Sequence, residues 1–127
     1  MSKSHLNLGK ASEDLATQFL KNNGYKIITR NYKSPLGEID IIAKDKGAIC
    51  FIEVKSRSSN RFGLPQEAVS GFKQRQISRV ALGFLKEKGL LNSKARFDVV
   101  SITYPLEDSP DINLIKDAFE LNLDYTY

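Results

Sequence analysis

The chain has 127 residues, 41% hydrophobic and 27% charged, which fits one soluble domain spanning residues 1–127 with room for a real core. No stretch approaches the roughly 20 apolar residues of a membrane helix, and Met1-Ser2-Lys3-Ser4-His5 leads into an amphipathic pattern, so neither a membrane span nor export is expected. The net charge of +4 is uneven: residues 1–100 hold 18 Lys and Arg against 9 Asp and Glu, residues 101–127 hold one Lys against six acids, and the basic body suits a polyanionic partner or solubility alone.

In chain order, Leu8, Ala11, Leu15, Ala16, Phe19 and Leu20 recur at helical spacing before Gly24, which predicts a helix over about 8–23. Tyr25 to Tyr32 is rich in β-branched and aromatic residues and reads as a strand. Lys33-Ser34-Pro35-Leu36-Gly37 is a turn, and Glu38 to Lys44 a second strand. Asp45-Lys46-Gly47-Ala48 predicts a tight hairpin into a third strand, Ala48 to Arg57. Cys50, the only cysteine, excludes an intrachain disulfide, fits a reducing cytoplasm and faces the core side of its strand. Ser58 to Leu64 is a polar loop, and a helix is expected from Pro65, with Ile77, Val80, Ala81, Phe84 and Leu85 as its apolar stripe up to Gly89. Ala95 to Tyr104 reads as a fourth strand, and Leu114 to Leu123 as an edge strand beyond an acidic loop. The expected fold is an α/β domain with an αβββαβ core, a mixed sheet flanked by helices.

The second and third strands carry the chemistry. A two-residue loop at Lys46-Gly47 pairs Asp45 with Ala48 and puts Asp40 directly opposite Glu53. Strict alternation sets Glu38, Asp40 and Ile42 on one face with Ile49, Phe51, Glu53, Lys55 and Arg57, and leaves Ile39, Ile41, Ala43, Cys50, Ile52 and Val54 on a core-like face. Opposed carboxylates repel, with Cβ atoms roughly 4.5–5.5 Å apart, and one of them is pushed toward protonation unless a cation intervenes. A hard divalent ion, Mg²⁺ or Mn²⁺, relieves the repulsion and serves phosphodiester chemistry. Lys55 could then hold the attacking water or offset charge in the transition state. The same alternation also describes a solvated sheet face with a Glu–Lys ion pair, and spacing leaves both readings open.

Seen together, Gly9 and Glu13, Gly37-Glu38-Ile39-Asp40, Phe51-Ile52-Glu53-Val54-Lys55-Ser56-Arg57, Phe62-Gly63, Gln66-Glu67-Ala68-Val69, Lys73-Gln74 and Arg96-Phe97-Asp98-Val99 resemble the YraN-like bacterial family over about residues 8–103. That family looks like a branch of the PD-(D/E)xK nucleases, which include restriction endonucleases and Holliday-junction resolvases. The resemblance implies a restriction-endonuclease-like fold, metal binding by Asp40, Glu53 and the backbone of Val54, a catalytic Lys55 and an assisting helical Glu13. Ser12 stands where the family tends to have glycine before that glutamate, and Ile39 where the superfamily has proline.

Other residues fit around this centre. Gln74, on the inward side of the second helix, could orient water or phosphate. Arg57, Arg61 and Lys73 flank the site, Arg30, Tyr32 and Lys33 close the preceding strand, and Arg75 belongs to an outward basic row; these basic groups could contact phosphates. Tyr32 or Phe62 could stack on an unpaired base. Asp98 is expected to be structural, pairing with Arg96 or capping the sheet. The expected activity is metal-dependent cleavage of DNA, branched or single-stranded forms included, with a two-fold homodimer favoured for junctions. The alternative is a non-catalytic nucleic-acid-binding module on the same fold.

Overall fold

The computed structural model describes residues 2–58, 69–105 and 109–122, with side chains from residue 9 onward. Its elements are α1 (Ser2–Asn22), β1 (Lys26–Ser34), β2 (Gly37–Asp45), β3 (Ala48–Arg57), α2 (Gly71–Glu87), β4 (Ala95–Thr103) and β5 (Asp111–Phe119). The strands form one sheet in the order β1-β2-β3-β4-β5. All neighbours are antiparallel except β3 and β4, which run parallel. Parallel strands need a long crossover, and α2 lies within it. The α/β architecture with two helices and a mixed sheet is the one expected. No helix among the described residues is long and apolar enough to cross a membrane.

The sheet is buried on both faces. Ile42, Ile49, Phe51, Phe97 and Val99 pack with Ile77, Val80, Ala81, Phe84 and Leu85 of α2. Ile41, Ala43, Cys50, Ile52, Val100 and Ile102 pack with Ala16 and Leu20 of α1. These sets alternate along β3 and β4, as a pleated strand requires. The described part of α2 starts at Gly71 behind Ser70, whose hydroxyl accepts the Lys73 N–H at 3.2 Å. The expected start at Pro65 lies outside the described residues.

Two turns set the β2 register. Lys46 has φ 50° and Gly47 φ 88°, so both central residues of the hairpin are left-handed, the type I′ geometry that matches strand twist. Asp45 pairs with Ala48 as expected, and the ladder runs without a slip to Ile41 opposite Ile52. At the other end of β2, Gly37 has φ 145°, and a Cβ there would sit 3.0 Å from the Gln76 side chain of α2. The chain needs glycine at this point both for its backbone angle and for the close approach of the helix.

A buried polar network ties the hairpin end of the sheet together. Arg96 Nε donates to Asp98 Oδ1 at 2.9 Å, and its Nη2 donates to Asp98, Asp45 and the Tyr25 hydroxyl, each at 2.9 Å. Tyr25 in turn donates to Asp98 at 2.8 Å, and Lys116 Nζ lies 3.2 Å from Asp45. The Asp117 N–H also bonds Asp98 at 2.9 Å. Asp98 is fully buried, and its pairing with Arg96 is the structural role expected of it. Hydrogen bonding to Arg96 holds the Asp45 carboxyl below the usual carboxylate range. Burial pushes the Cys50 thiol up to about 12, which leaves it unreactive at neutral pH.

Candidate active site

Beyond Ile41 and Ile52 the β2–β3 ladder opens into a fork. The regular ladder has no backbone pair between Asp40 and Glu53, yet their carboxyls meet within hydrogen-bonding reach, as the hairpin register implies. The Asp40 side chain turns into the gap, and its Oδ2 accepts the Val54 N–H at 2.8 Å. In a regular ladder that donor would meet a backbone carbonyl of β2. The N–H and C=O of one strand residue point the same way, so the Val54 carbonyl also faces the fork. Strict alternation fails here as well. Ile39, expected beside Ile41, packs instead with Ile42 on the α2 side.

Glu53 faces the α2 side beside Phe51 and is only 4% exposed. Burial, then the charge of Asp40, raises its carboxyl to about 8, while Lys73 and Lys55 pull the other way. An acid pair with one member driven toward protonation is the electrostatic signature of a cation site or a catalytic acid. Lys73 reaches in from the first turn of α2, with Nζ 3.8 Å from Glu53 Oε2. Lys55 lies two residues beyond Glu53 on the same face and has no ion pair to an acid among the described residues. The fork therefore gathers Asp40, Glu53, Val54, Lys55 and Lys73.

The remaining expected residues lie elsewhere. Glu13 and Arg30 bind each other: Glu13 Oε1 accepts Arg30 Nε at 3.0 Å and Nη2 at 2.7 Å. Arg30 also meets Asp14 at 2.7 Å. Gln74 Nε2 donates to the Val69 carbonyl at 3.0 Å, just before α2. Lys33 is exposed opposite Glu38, Arg57 ends β3, and the Arg75 guanidinium folds back over Gly71. Tyr32 packs edge-on against Phe84, with ring centroids 5.2 Å apart, so it is a core ring and not a free stacking platform. Arg61 and Phe62 lie outside the described residues. Ser12 is buried, with its hydroxyl 2.7 Å from that of Tyr104, so it anchors α1 to the end of β4.

Lys73 flanks the site as expected, held against Glu53 by the crossover helix. One feature was not legible in the sequence: Phe72, the neighbour of Lys73, is 69% exposed at the start of α2. Its position one turn before Gln76, which touches Gly37, puts it on the side of α2 that faces the β1–β2 turn. An aromatic residue outside an apolar stripe is the one available signal for it.

As a donor set, the fork offers two carboxylates and a backbone carbonyl. No group of three or more His, Cys, Asp or Glu side chains is gathered among the described residues. That set suits Mg²⁺ or Mn²⁺, which keep several waters and take one or two carboxylates with substrate phosphate; it does not suit a closed structural zinc.

Comparison with known proteins agrees with this chain's sequence pattern. A UPF0102 protein of Geobacter sulfurreducens is 49% identical over 114 residues, covering 90% of this chain and 89% of that protein. A UPF0102 protein of Geotalea daltonii is 48% identical over 114 residues, 90% of each chain. A third, from Clostridium beijerinckii, is 46% identical over 123 residues and is covered in full, as is 96% of this chain. Residues 12–102, which hold the fork, both lysines and the Arg96–Asp98 pair, match the model of the uncharacterised protein family UPF0102, and the chain belongs to that family.

Proposed function

We propose that the protein is a divalent-metal-dependent nuclease of the PD-(D/E)xK type that hydrolyses phosphodiester bonds in DNA, single-stranded or branched forms included. The observation that carries this reading is the fork itself: two carboxylates and two lysines converge where a sheet would otherwise continue its ladder. Glu53 is buried beside a half-buried Asp40, and a buried acid costs stability and is kept only with a partner or a purpose.

Asp40, Glu53 and the Val54 carbonyl would hold Mg²⁺ or Mn²⁺. When bound, such an ion polarises the scissile phosphate and lowers the pKa of a coordinated water. The Val54 N–H fixes the Asp40 carboxylate in the fork, so its orientation is set before substrate arrives. Glu53, raised to about 8, must give up its proton to ligate, which ties metal binding to pH. Lys55 is the cation left to hold the water or the phosphate oxygen. Lys73, already against Glu53, keeps the site from carrying two uncompensated charges. Lys33, Arg57 and Arg75, away from the fork, would contact phosphates further along a bound strand.

The test is a panel of labelled single-stranded, duplex, flap and four-way-junction DNAs incubated with Mg²⁺ or Mn²⁺. Cleavage by the wild type but not by Asp40→Ala or Lys55→Ala is the expected result. A second reading, a binding module without catalysis, is favoured by one observation: the Lys73–Glu53 pair supplies Glu53 with a cation and no metal. Salt-sensitive binding with no cleavage in any metal would establish it.

A further inference from the structure

Asn31 is a non-glycine residue with φ 53° in the middle of β1. Its neighbours point to opposite layers. Arg30 reaches Glu13 on α1, and Tyr32 packs on Phe84 of α2. In a regular strand residues 30 and 32 would share a face, so the left-handed turn at Asn31 rotates the strand. Across the ladder, the pairs Arg30–Ile41 and Tyr32–Ile39 flank it, which sets Asn31 opposite Asp40. The same switch occurs there: Ile41 belongs to the α1-side core and Ile39 to the α2-side core. Asp40 is thus the pivot of β2, as Asn31 is of β1.

Glu13 holds the β1 pivot from α1. Its Oε1 accepts Asn31 Nδ2 at 2.9 Å in addition to the two Arg30 donors. A β1 kink that costs backbone energy persists only where its surroundings hold it. We propose that Glu13 is a positioning residue: by clamping Arg30 and Asn31 it fixes the kink that turns the Asp40 carboxylate into the fork and onto the Val54 N–H. The catalytic consequence rests on the nuclease reading; the clamp itself does not. This differs from the direct role that the family resemblance implies for Glu13. The oxygen in question already carries three donors, and it approaches from the α1 side, whereas Lys73 approaches Glu53 from α2.

The experiment is residue-resolved amide exchange by NMR on the metal-free protein. Glu13→Ala should speed exchange of the Val54 N–H about tenfold, while Asp14→Ala, which removes the other Arg30 partner but nothing at Asn31, should change it less than about twofold. Adding Asn31→Gly to Glu13→Ala should restore protection, because glycine takes φ > 0 without a clamp. An unchanged Val54 amide in Glu13→Ala overturns the proposal, and so does equal acceleration throughout β2 and β3, which marks global destabilisation. Mn²⁺ titration of the same variants then separates the roles. A clamp predicts weaker binding in Glu13→Ala, by about tenfold, and recovery with Asn31→Gly; a metal ligand predicts no recovery. If the wild type binds no Mn²⁺, the nuclease reading fails, and the amide measurement alone decides the clamp.

Discussion

Glu53 is the residue on which the site's pH behaviour turns. Its folded carboxyl is raised to about 8, above its ordinary value of 4.5. Between these values the unfolded chain has released the proton and the folded chain keeps it. Stability of the metal-free protein therefore falls as pH rises from about 4.5 to about 8. Glu53→Gln should remove that fall, measured by urea unfolding at a series of pH values. Asp45 works in the opposite sense: its carboxyl is lowered, so its stabilising pairing is present above the ordinary carboxylate pKa and is lost as pH falls through the folded value. On the nuclease reading Mn²⁺ affinity should rise about tenfold per pH unit toward pH 8, since ligation must displace the Glu53 proton; calorimetry in two buffers of different ionisation heat would detect the release. Phe72 belongs to the same scale. On the nuclease reading Phe72→Ala should weaken binding of a single-stranded oligonucleotide by roughly 1–3 kcal/mol and leave duplex binding nearly unchanged, and equal losses on both would assign the ring to packing.

At the scale of elements, the hairpin and the kink show what local chemistry can and cannot reveal. The Asp45–Ala48 pairing was legible because a two-residue loop ending in glycine has few geometries, and it carried the register to Ile41 and Ile52. The opening at Asp40 was not legible. It depends on a left-handed Asn31, one strand away, held by a glutamate on a helix still further off in the chain. Alternation is a property of an undisturbed strand, so it misplaced Ile39 and implied a backbone pairing of Asp40 with Glu53 that the ladder lacks. That Lys73 would meet Glu53 in particular was not legible for a similar reason: its approach depends on how α2 crosses the sheet. The Arg96–Asp98 pair was visible because both residues lie on β4 two positions apart, while Asp45, Tyr25 and Lys116 join it only through the fold. Removing the guanidinium leaves the buried Asp98 without a cation and Asp45 with Lys116 alone, so Arg96→Ala should cost about 3–5 kcal/mol in denaturant unfolding. A loss below about 1 kcal/mol would mean that Lys116 and Tyr25 suffice.

Across the whole molecule, charge and connectivity act together. The basic body formed by residues 1–100, with 18 Lys and Arg against 9 acids, should make any DNA affinity fall steeply with salt, by a log–log slope close to the number of phosphates contacted. A flat salt response would turn attention from nucleic acid to a protein partner. The order of the chain has a kinetic side too. Asp40 meets Val54 within one hairpin, a contact that forms on the microsecond scale, roughly 1–10 μs for a hairpin. Lys73 arrives only when α2 has docked on the sheet, a closure of segments further apart in the chain. During folding the two acids are thus neighbours before their lysine is in place, and the hairpin carries a repulsion that the finished protein has offset. A divalent cation present from the start of refolding should speed the step, and stopped-flow refolding of wild type against Asp40→Asn would show whether the acid pair, so useful in the folded site, is a barrier on the way to it.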